Sequence, residues 1–160
     1  QNLTSSIYSI INQMITINIS EQSLEYKGKS YSISTAINGT GEIEGSYCTP
    51  TGKFKIAEKI GANLELGSVL VEREPTGEIY NTNLAKKNPD RDWILTRILW
   101  LDGIELHNQN TKNRFIYIHG SPDETQMGMP GSKGCIRMHN YDVIELFESI
   151  QSGENVIIIE

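Results

Sequence analysis

The chain has only two cysteines in 160 residues, too few for a disulfide framework. At this length folding buries roughly two thirds of the surface that the unfolded chain exposes, so a hydrophobic core forms without disulfide or metal staples. No apolar run approaches the ~18 residues of a membrane span, so the chain is not expected to be transmembrane. Basic side chains are outnumbered, 14 against 20 acidic, for a net charge of −6. Proteins that track phosphates carry a basic stripe, so no nucleic-acid partner is expected. Five prolines and 14 glycines are dispersed and form no linker. With no repeat or low-complexity tract, residues 1–160 read as a single domain, residues 1–13 being an N-terminal lead-in. The sequence also lacks a leading methionine: a start at Gln1 with no basic-then-apolar leader reads as a processed or trimmed chain, which says nothing about export.

What is present is mostly strand signal. Leu3 to Ile11 suits a short helix, with Ile7, Ile10 and Ile11 apolar and a threonine and serines at its entrance. After it the period changes to two. Met14–Ile19, Leu24–Tyr26 and Tyr31–Ala36 are rich in β-branched and aromatic residues, and Lys27-Gly28-Lys29 reads as a hairpin turn. Lys53–Ala57, Ser68–Glu72, Trp93–Leu101, Arg114–His119 and Val156–Ile159 continue the pattern between Gly, Asn, Asp and Pro clusters. One helix stands out. Asn140 is placed to cap Tyr141–Ile150, where Val143, Ile144, Phe147 and Ile150 fall at helical spacing, and Gly153 supplies a stop. The expected fold class is mainly β (α+β), with a packed C-terminal helix and a returning final strand.

Chemistry concentrates between a histidine and a cysteine. Alternation along Arg114–His119 puts Phe115, Tyr117 and His119 on one face and Ile116 and Ile118 on the other, so His119 ends a strand at the mouth of a pocket. Cys135 follows in Gly131-Ser132-Lys133-Gly134-Cys135. A cysteine attacks as its thiolate, and an imidazole is the usual activator. Gly131 and Gly134 permit backbone geometries closed to other residues, so the amides of Lys133, Gly134 and Cys135 could converge as an oxyanion hole. The competing reading of Cys135 is a buried inert thiol.

The wording around these residues is more specific than their spacing. Ile118-His119-Gly120, a loop of about a dozen residues, then Ser132-Lys133-Gly134-Cys135-Ile136-Arg137-Met138 and a capped helix resembles the signature of the L,D-transpeptidase catalytic domain, also called the YkuD domain. Ile17–Leu24 resembles that family's opening strand pair, Thr49-Pro50-Thr51-Gly52 its Thr-Pro-x-Gly turn, and Leu95–Leu101 its central strand. The resemblance runs from about Ile15 to Ile159.

The resemblance implies a β-sandwich-like catalytic domain, exported to the periplasm or cell wall of a bacterium, that acts in peptidoglycan biosynthesis and cell-wall organisation and shape. Cys135 would be the nucleophile that attacks the carbonyl of the third residue of a tetrapeptide stem and releases D-alanine, and His119 the base. Gly120 lies where the family orients the histidine through a main-chain carbonyl, Gly134 and Cys135 where it donates oxyanion-hole amides, and Arg137 where it could hold a substrate carboxylate or brace the loop. Ser132, and Tyr117 on the face of His119, are the further candidates for holding substrate. No cofactor and no metal are implied. The acceptor amine would belong to another stem, a lipoprotein lysine or a D-amino acid. Water as acceptor would make the chain an L,D-carboxypeptidase, and carbapenem-type β-lactams would acylate Cys135 slowly. The chain departs from the family core at Lys133, where a histidine is usual. A cation there would favour the thiolate, although an ammonium cannot accept a hydrogen bond; a non-catalytic peptidoglycan-binding module is the corresponding alternative.

Other residues admit plainer readings. Residues 110–140 carry Lys112, Arg114, Lys133 and Arg137 against Asp123 and Glu124, a local +2 in a chain of −6, either a basic mouth for stem carboxylates or ordinary solvated charge. Cys48 reads as a bystander, with both thiols free. Zinc binding by His119, Cys135 and His139 lacks the paired spacing of such sites, His139 lying at the helix entrance and His107 on a loop. Trp93 and Trp100 could line a substrate groove, although aromatic residues on strands are more often core, and Met127, Met129 and Pro130 read as either a lid or groove wall or packing beneath a long loop.

Overall fold

The computed structural model describes Thr4 and residues 13–160. The short helix expected over Leu3–Ile11 therefore lies, Thr4 apart, outside the described residues.

Across residues 13–160, ten strands and two α-helices follow in chain order: β1 (Ile15–Asn18), β2 (Ser23–Tyr26), β3 (Lys29–Ser34), β4 (Gly52–Ile60), β5 (Ser68–Val71), β6 (Glu74–Ile79), α1 (Thr82–Lys87), β7 (Ile94–Gly103), β8 (Tyr117–Ser121), β9 (Ile136–His139), α2 (Asn140–Ser149) and β10 (Asn155–Ile159). The β2–β3 hairpin turns on Lys27 and Gly28 alone. Both have positive φ, 49° and 76°, the two-residue geometry whose twist matches the strands it joins. The strands run in the order β4-β10-β1-β2-β3-β9-β8-β7-β5-β6, and an additional β4–β7 pairing closes β4 through β7 into a circuit. Two pairings, β1–β10 and β8–β9, are parallel. The β5–β6 hairpin extends from the first residues of β7 and ends the sheet.

Alternation sorts the side chains of β7 and β8 into two cores. Leu99, Leu101, Ile116 and Ile118 join the main core with Ile15, Ile17, Phe54, Met138 and the α2 residues Val143, Leu146 and Phe147. Ile98 and Tyr117 point the other way and form, with Leu70, a smaller core against which Trp100, Leu64 and Cys135 pack. Ile118 is fully buried, so trimming it to alanine would cost on the order of 2–5 kcal/mol. The mainly β architecture with its C-terminal helix is that expected of the sequence.

Several details differ from the expectation, each for a physical reason. β6, Glu-Pro-Thr-Gly-Glu-Ile, has neither alternation nor strand propensity, because it is an exposed terminal strand. β9 is four residues long and is held on both sides, by β3 and β8. The strand expected over Arg114–His119 begins only at Tyr117: Lys112–Arg114 is a 3-10 turn closed by Phe115 at φ 58°. Phe115 thus leaves the alternating face and is 49% exposed. Asn140 is not the cap of α2. His139 occupies that position, and Asn140, the first helical residue, accepts a hydrogen bond from Thr96 Oγ1 at 2.7 Å. At the other end, Lys59 Nζ donates to the Phe147 and Ile150 carbonyls, each at 2.6 Å, a cation where the helix dipole favours one.

Candidate active site

β8 and β9 run side by side, with Ile118 opposite Ile136 and His119 opposite Arg137. Cys135 immediately precedes β9, so the parallel register brings it beside the start of β8. Its Sγ accepts a hydrogen bond from the Tyr117 N–H at 3.3 Å and donates one to the Phe115 carbonyl at 3.3 Å. The left-handed turn at Phe115 thus supplies the acceptor for the thiol proton.

That geometry favours the neutral thiol. Burial pushes the Cys135 pKa up to about 12; the Tyr117 N–H pulls it down, Asp92 pushes it up and Arg114 pulls it down. The cation acting on the thiol is therefore Arg114. Lys133, which the sequence cast in that role, has an exposed side chain.

His119 is 1% exposed, and its Nδ1 lies 2.7 Å from the Gly120 carbonyl oxygen. A carbonyl only accepts, so Nδ1 carries the hydrogen and Nε2 holds the lone pair. Nε2 has no hydrogen-bond partner among the described residues. Burial holds the imidazole pKa below its usual value; the Gly120 bond and Asp92 oppose this, and Arg137 adds to it. Burial thus disfavours the charged form of each group, the Cys135 thiolate and the His119 imidazolium. Gly120 is needed for packing: a Cβ there would lie 2.6 Å from the Leu95 carbonyl oxygen and 3.2 Å from the Thr96 Cβ, and would overlap Asn140 Oδ1.

The loop before Cys135 is tightly held. Ser132, expected at the substrate, is 5% exposed, and its hydroxyl donates to the Cys135 carbonyl at 2.6 Å while accepting the Gly134 N–H at 3.2 Å. Thr49 Oγ1 donates to the Gly134 carbonyl at 2.9 Å and accepts the Ala36 N–H at 3.0 Å. Gly134 sits at φ 126°, closed to side chains. A Cβ at Gly131 would overlap the Arg137 guanidinium and displace the end of that side chain. Of the amides expected to form an oxyanion hole, Gly134's is spent on Ser132, whereas those of Lys133 and Cys135 carry no hydrogen bond among the described residues.

Arg137 Nη2 donates to Ser34 Oγ at 2.6 Å, and its Nε is buried without a partner. With Ser132, Lys133 and the Asp90-Arg91-Asp92 segment it lines a cleft of about 330 Å³. The mouth is thus of mixed sign, since two carboxylates from the loop before β7 join the basic residues. Tyr117 reaches the site through its main chain; its ring is buried, stands edge-on to Trp100 with centroids 5.7 Å apart, and its hydroxyl accepts from Arg73 at 3.1 Å. Trp100 and Arg73 line a second cleft of about 510 Å³ with Glu58, Glu72 and Glu74. Trp93 stacks edge-on against Tyr80.

Met129 and Pro130 are exposed and Met127 half-buried, and the loop carrying them is fixed to β3 and Thr35 by the Gly128, Gly131 and Ser132 amides. His107 lies in a 3-10 turn with Nε2 3.0 Å from the Thr51 carbonyl oxygen. Both cysteines are free thiols. Among the described residues no three His, Cys, Asp or Glu side chains gather at a metal-sized site, and no helix is long and apolar enough to cross a membrane. Sequence reasoning missed Asp92, which carries no local signal, and the hydroxyl of Thr49, whose motif it read only as a turn.

Residues 12–158 match the family model described as the L,D-transpeptidase catalytic domain, YkuD. The chain is 42% identical over 124 residues to YqjB of Bacillus subtilis (strain 168), covering 74% of this chain and 61% of that one. It is 36% identical over 95 residues to YkuD of the same organism, covering 59% and 50%. It therefore spans about half to three fifths of the length of these curated relatives. A crystal structure of L,D-transpeptidase 3 from Mycobacterium tuberculosis in complex with a faropenem-derived adduct shares the fold, with a TM-score of 0.56 at 16% identity over 92% of this chain and 60% of that one.

Proposed function

Because the chain belongs to the L,D-transpeptidase catalytic domain family, we propose that it is a cysteine acyltransferase acting on peptidoglycan stem peptides outside the cytoplasm. The observation that carries the reading is that the β8–β9 register sets the Cys135 thiol on the Tyr117 N–H, two residues along β8 from His119, whose lone pair the Gly120 carbonyl leaves at Nε2.

Cys135 Sγ attacks the carbonyl of the third stem residue as its proton passes to His119 Nε2. The carbonyl oxygen takes the electron pair and is stabilised by the unpaired Cys135 N–H. Collapse breaks the C–N bond, the D-alanine amine takes the proton from His119, and a thioester remains on Cys135. An acceptor amine then attacks, gives up a proton through His119 and frees the thiol. Arg137, with its buried unpaired Nε, and Lys133 hold a carboxylate in the cleft beside the loop. Since Lys133 has an exposed side chain and the thiol's contacts come from Tyr117 and Phe115, the departure from the family core leaves this chemistry intact.

The test is incubation of the purified chain with disaccharide-tetrapeptide, followed by mass spectrometry. Released D-alanine, a Cys135 acyl adduct and cross-linked dimer are expected. Tripeptide without dimer, even when lipoprotein-lysine or D-amino-acid acceptors are supplied, would indicate water as acceptor, hence a carboxypeptidase. Unchanged activity in Cys135→Ala would sink the reading. The faropenem-derived adduct named for the Mycobacterium tuberculosis relative makes penems and carbapenems the natural covalent probes of Cys135.

A further inference from the structure

Gly134 and Cys135 carry four main-chain polar groups, and three are tied down by two buried hydroxyls. Ser132 takes the Gly134 N–H and the Cys135 carbonyl, and Thr49 takes the Gly134 carbonyl. The fourth, the Cys135 N–H, carries no hydrogen bond among the described residues. It belongs to the same peptide unit as the carbonyl that Thr49 holds. No described peptide bond is cis, so the two groups point in opposite directions. Thr49 is fully buried and is itself fixed by the Ala36 N–H, also in the interior. Anchoring the carbonyl inward on Thr49 therefore turns the Cys135 N–H away from the interior.

We propose that Thr49 is a positioning residue for acyl transfer, its hydroxyl setting the plane of the Gly134–Cys135 peptide so that the Cys135 N–H is presented to the oxyanion. The inference rests on the acyl-transfer reading of Cys135. Among the described residues that peptide carries no other side-chain hydrogen bond. Gly134, at φ 126°, has no side chain to lock it, and its nearest non-bonded neighbours, the Cys48 carbonyl and Ile116, limit bulk but not rotation. Arg114 donates to the Cys48 carbonyl at 2.8 Å, which ties the segment that carries Thr49 to the turn before β8.

A merely structural role and a positioning role differ in which reactions of Cys135 they affect. Acylation by an activated ester, such as p-nitrophenyl acetate, forms an S–C bond at a carbonyl carbon and moves an electron pair onto its oxygen. Nitrophenolate then leaves, and the thiol proton goes to His119. Alkylation by iodoacetamide forms an S–C bond at a saturated carbon, expels iodide and creates no oxyanion.

Both rates are to be measured at Cys135 by mass spectrometry in wild type, Thr49→Val and Thr49→Ser, with thermal unfolding of each. Thr49→Val is expected to acylate about 10- to 100-fold more slowly, a part of what loss of a whole oxyanion donor costs. Its alkylation rate should stay within about twofold of wild type, and Thr49→Ser should restore acylation by returning the hydroxyl. Equal acylation in wild type and Thr49→Val, or equal losses in both reactions, would overturn the role of Thr49 while leaving the acyltransferase reading in place. If Thr49→Val does not fold, Thr49→Ser acylating as slowly as a Ser132→Ala control, or alkylating as slowly as it acylates, overturns the role. A wild-type Cys135 that is alkylated but never acylated would instead remove the acyltransferase reading itself.

Discussion

The most direct consequence of the site's electrostatics concerns how Cys135 reacts as pH changes. Burial pushes its pKa up to about 12, so at pH 7 the thiolate is about one part in 10⁵, against ~3% for an ordinary thiol of pKa ~8.5. The scarcity, about 3,000-fold, is offset in part because a more basic thiolate is more nucleophilic. With a Brønsted coefficient of about 0.45 the gain is about 40-fold. Cys135 should therefore react with iodoacetamide about 10²-fold more slowly than free cysteine at pH 7. Burial holds His119 below its ordinary value of 6.5, which disfavours the imidazolium. The rate should climb about tenfold per pH unit from pH 7 to beyond pH 10, with no plateau. The assay is a stopped-time alkylation series read by peptide mass, which separates Cys135 from Cys48. A plateau through neutral pH, or a rate exceeding that of free cysteine, would mean a preformed thiolate and refute the neutral-thiol reading.

Gly120→Ala is expected to lose about 1–3 kcal/mol of stability through overpacking, because the new Cβ would lie 2.6 Å from the Leu95 carbonyl oxygen; it should also slow acylation by shifting the carbonyl that orients His119. Urea unfolding and ester acylation check both, and a variant matching wild type in each would contradict the packing argument. For His119 the lowered pKa fixes the sign of a stability change: above pH 6.5 the ring is neutral folded or unfolded, and below it the unfolded chain takes up a proton first. Stability should fall with pH below 6.5 by up to ~1.4 kcal/mol per unit until the folded pKa is reached. His119→Gln should lack that part of the slope in urea titrations between pH 5 and 7. Parallel curves for the two proteins would show that the imidazole is not buried in neutral form.

Legibility followed physical locality. The β2–β3 hairpin could be read because its two-residue turn and its strands lie within one short window. The opposite faces of Ile116 and Ile118 and of Tyr117 and His119 could be read because pleating is a property of the strand itself. β6 could not, since an exposed terminal strand needs no apolar face, and Asn140 was mistaken for a cap because a polar residue at a helix start usually serves the helix, whereas this one bonds Thr96 across the core. At the site, Cys135 and His119 were legible as residue types. The commitments of Ser132 and Thr49 were not, because which partner a hydroxyl chooses is decided by strands distant in sequence. Asp92 reaches the cleft from the loop after α1, a proximity set wholly by tertiary packing.

The closed circuit bears on how the chain acquires its structure. β10, the last strand, lies between β1 and β4, two of the earliest. While the chain is being made, β1 and β4 present open edges until the final residues emerge, so the ring can only close as a late, long-range event. Cys135 and His119, carried at the paired β8 and β9, would be brought together before the ring around them is closed. A chain ending before Asn155 would keep Cys135 and His119 and lose the strand that joins β1 to β4, leaving two unpaired edges to find partners in other chains.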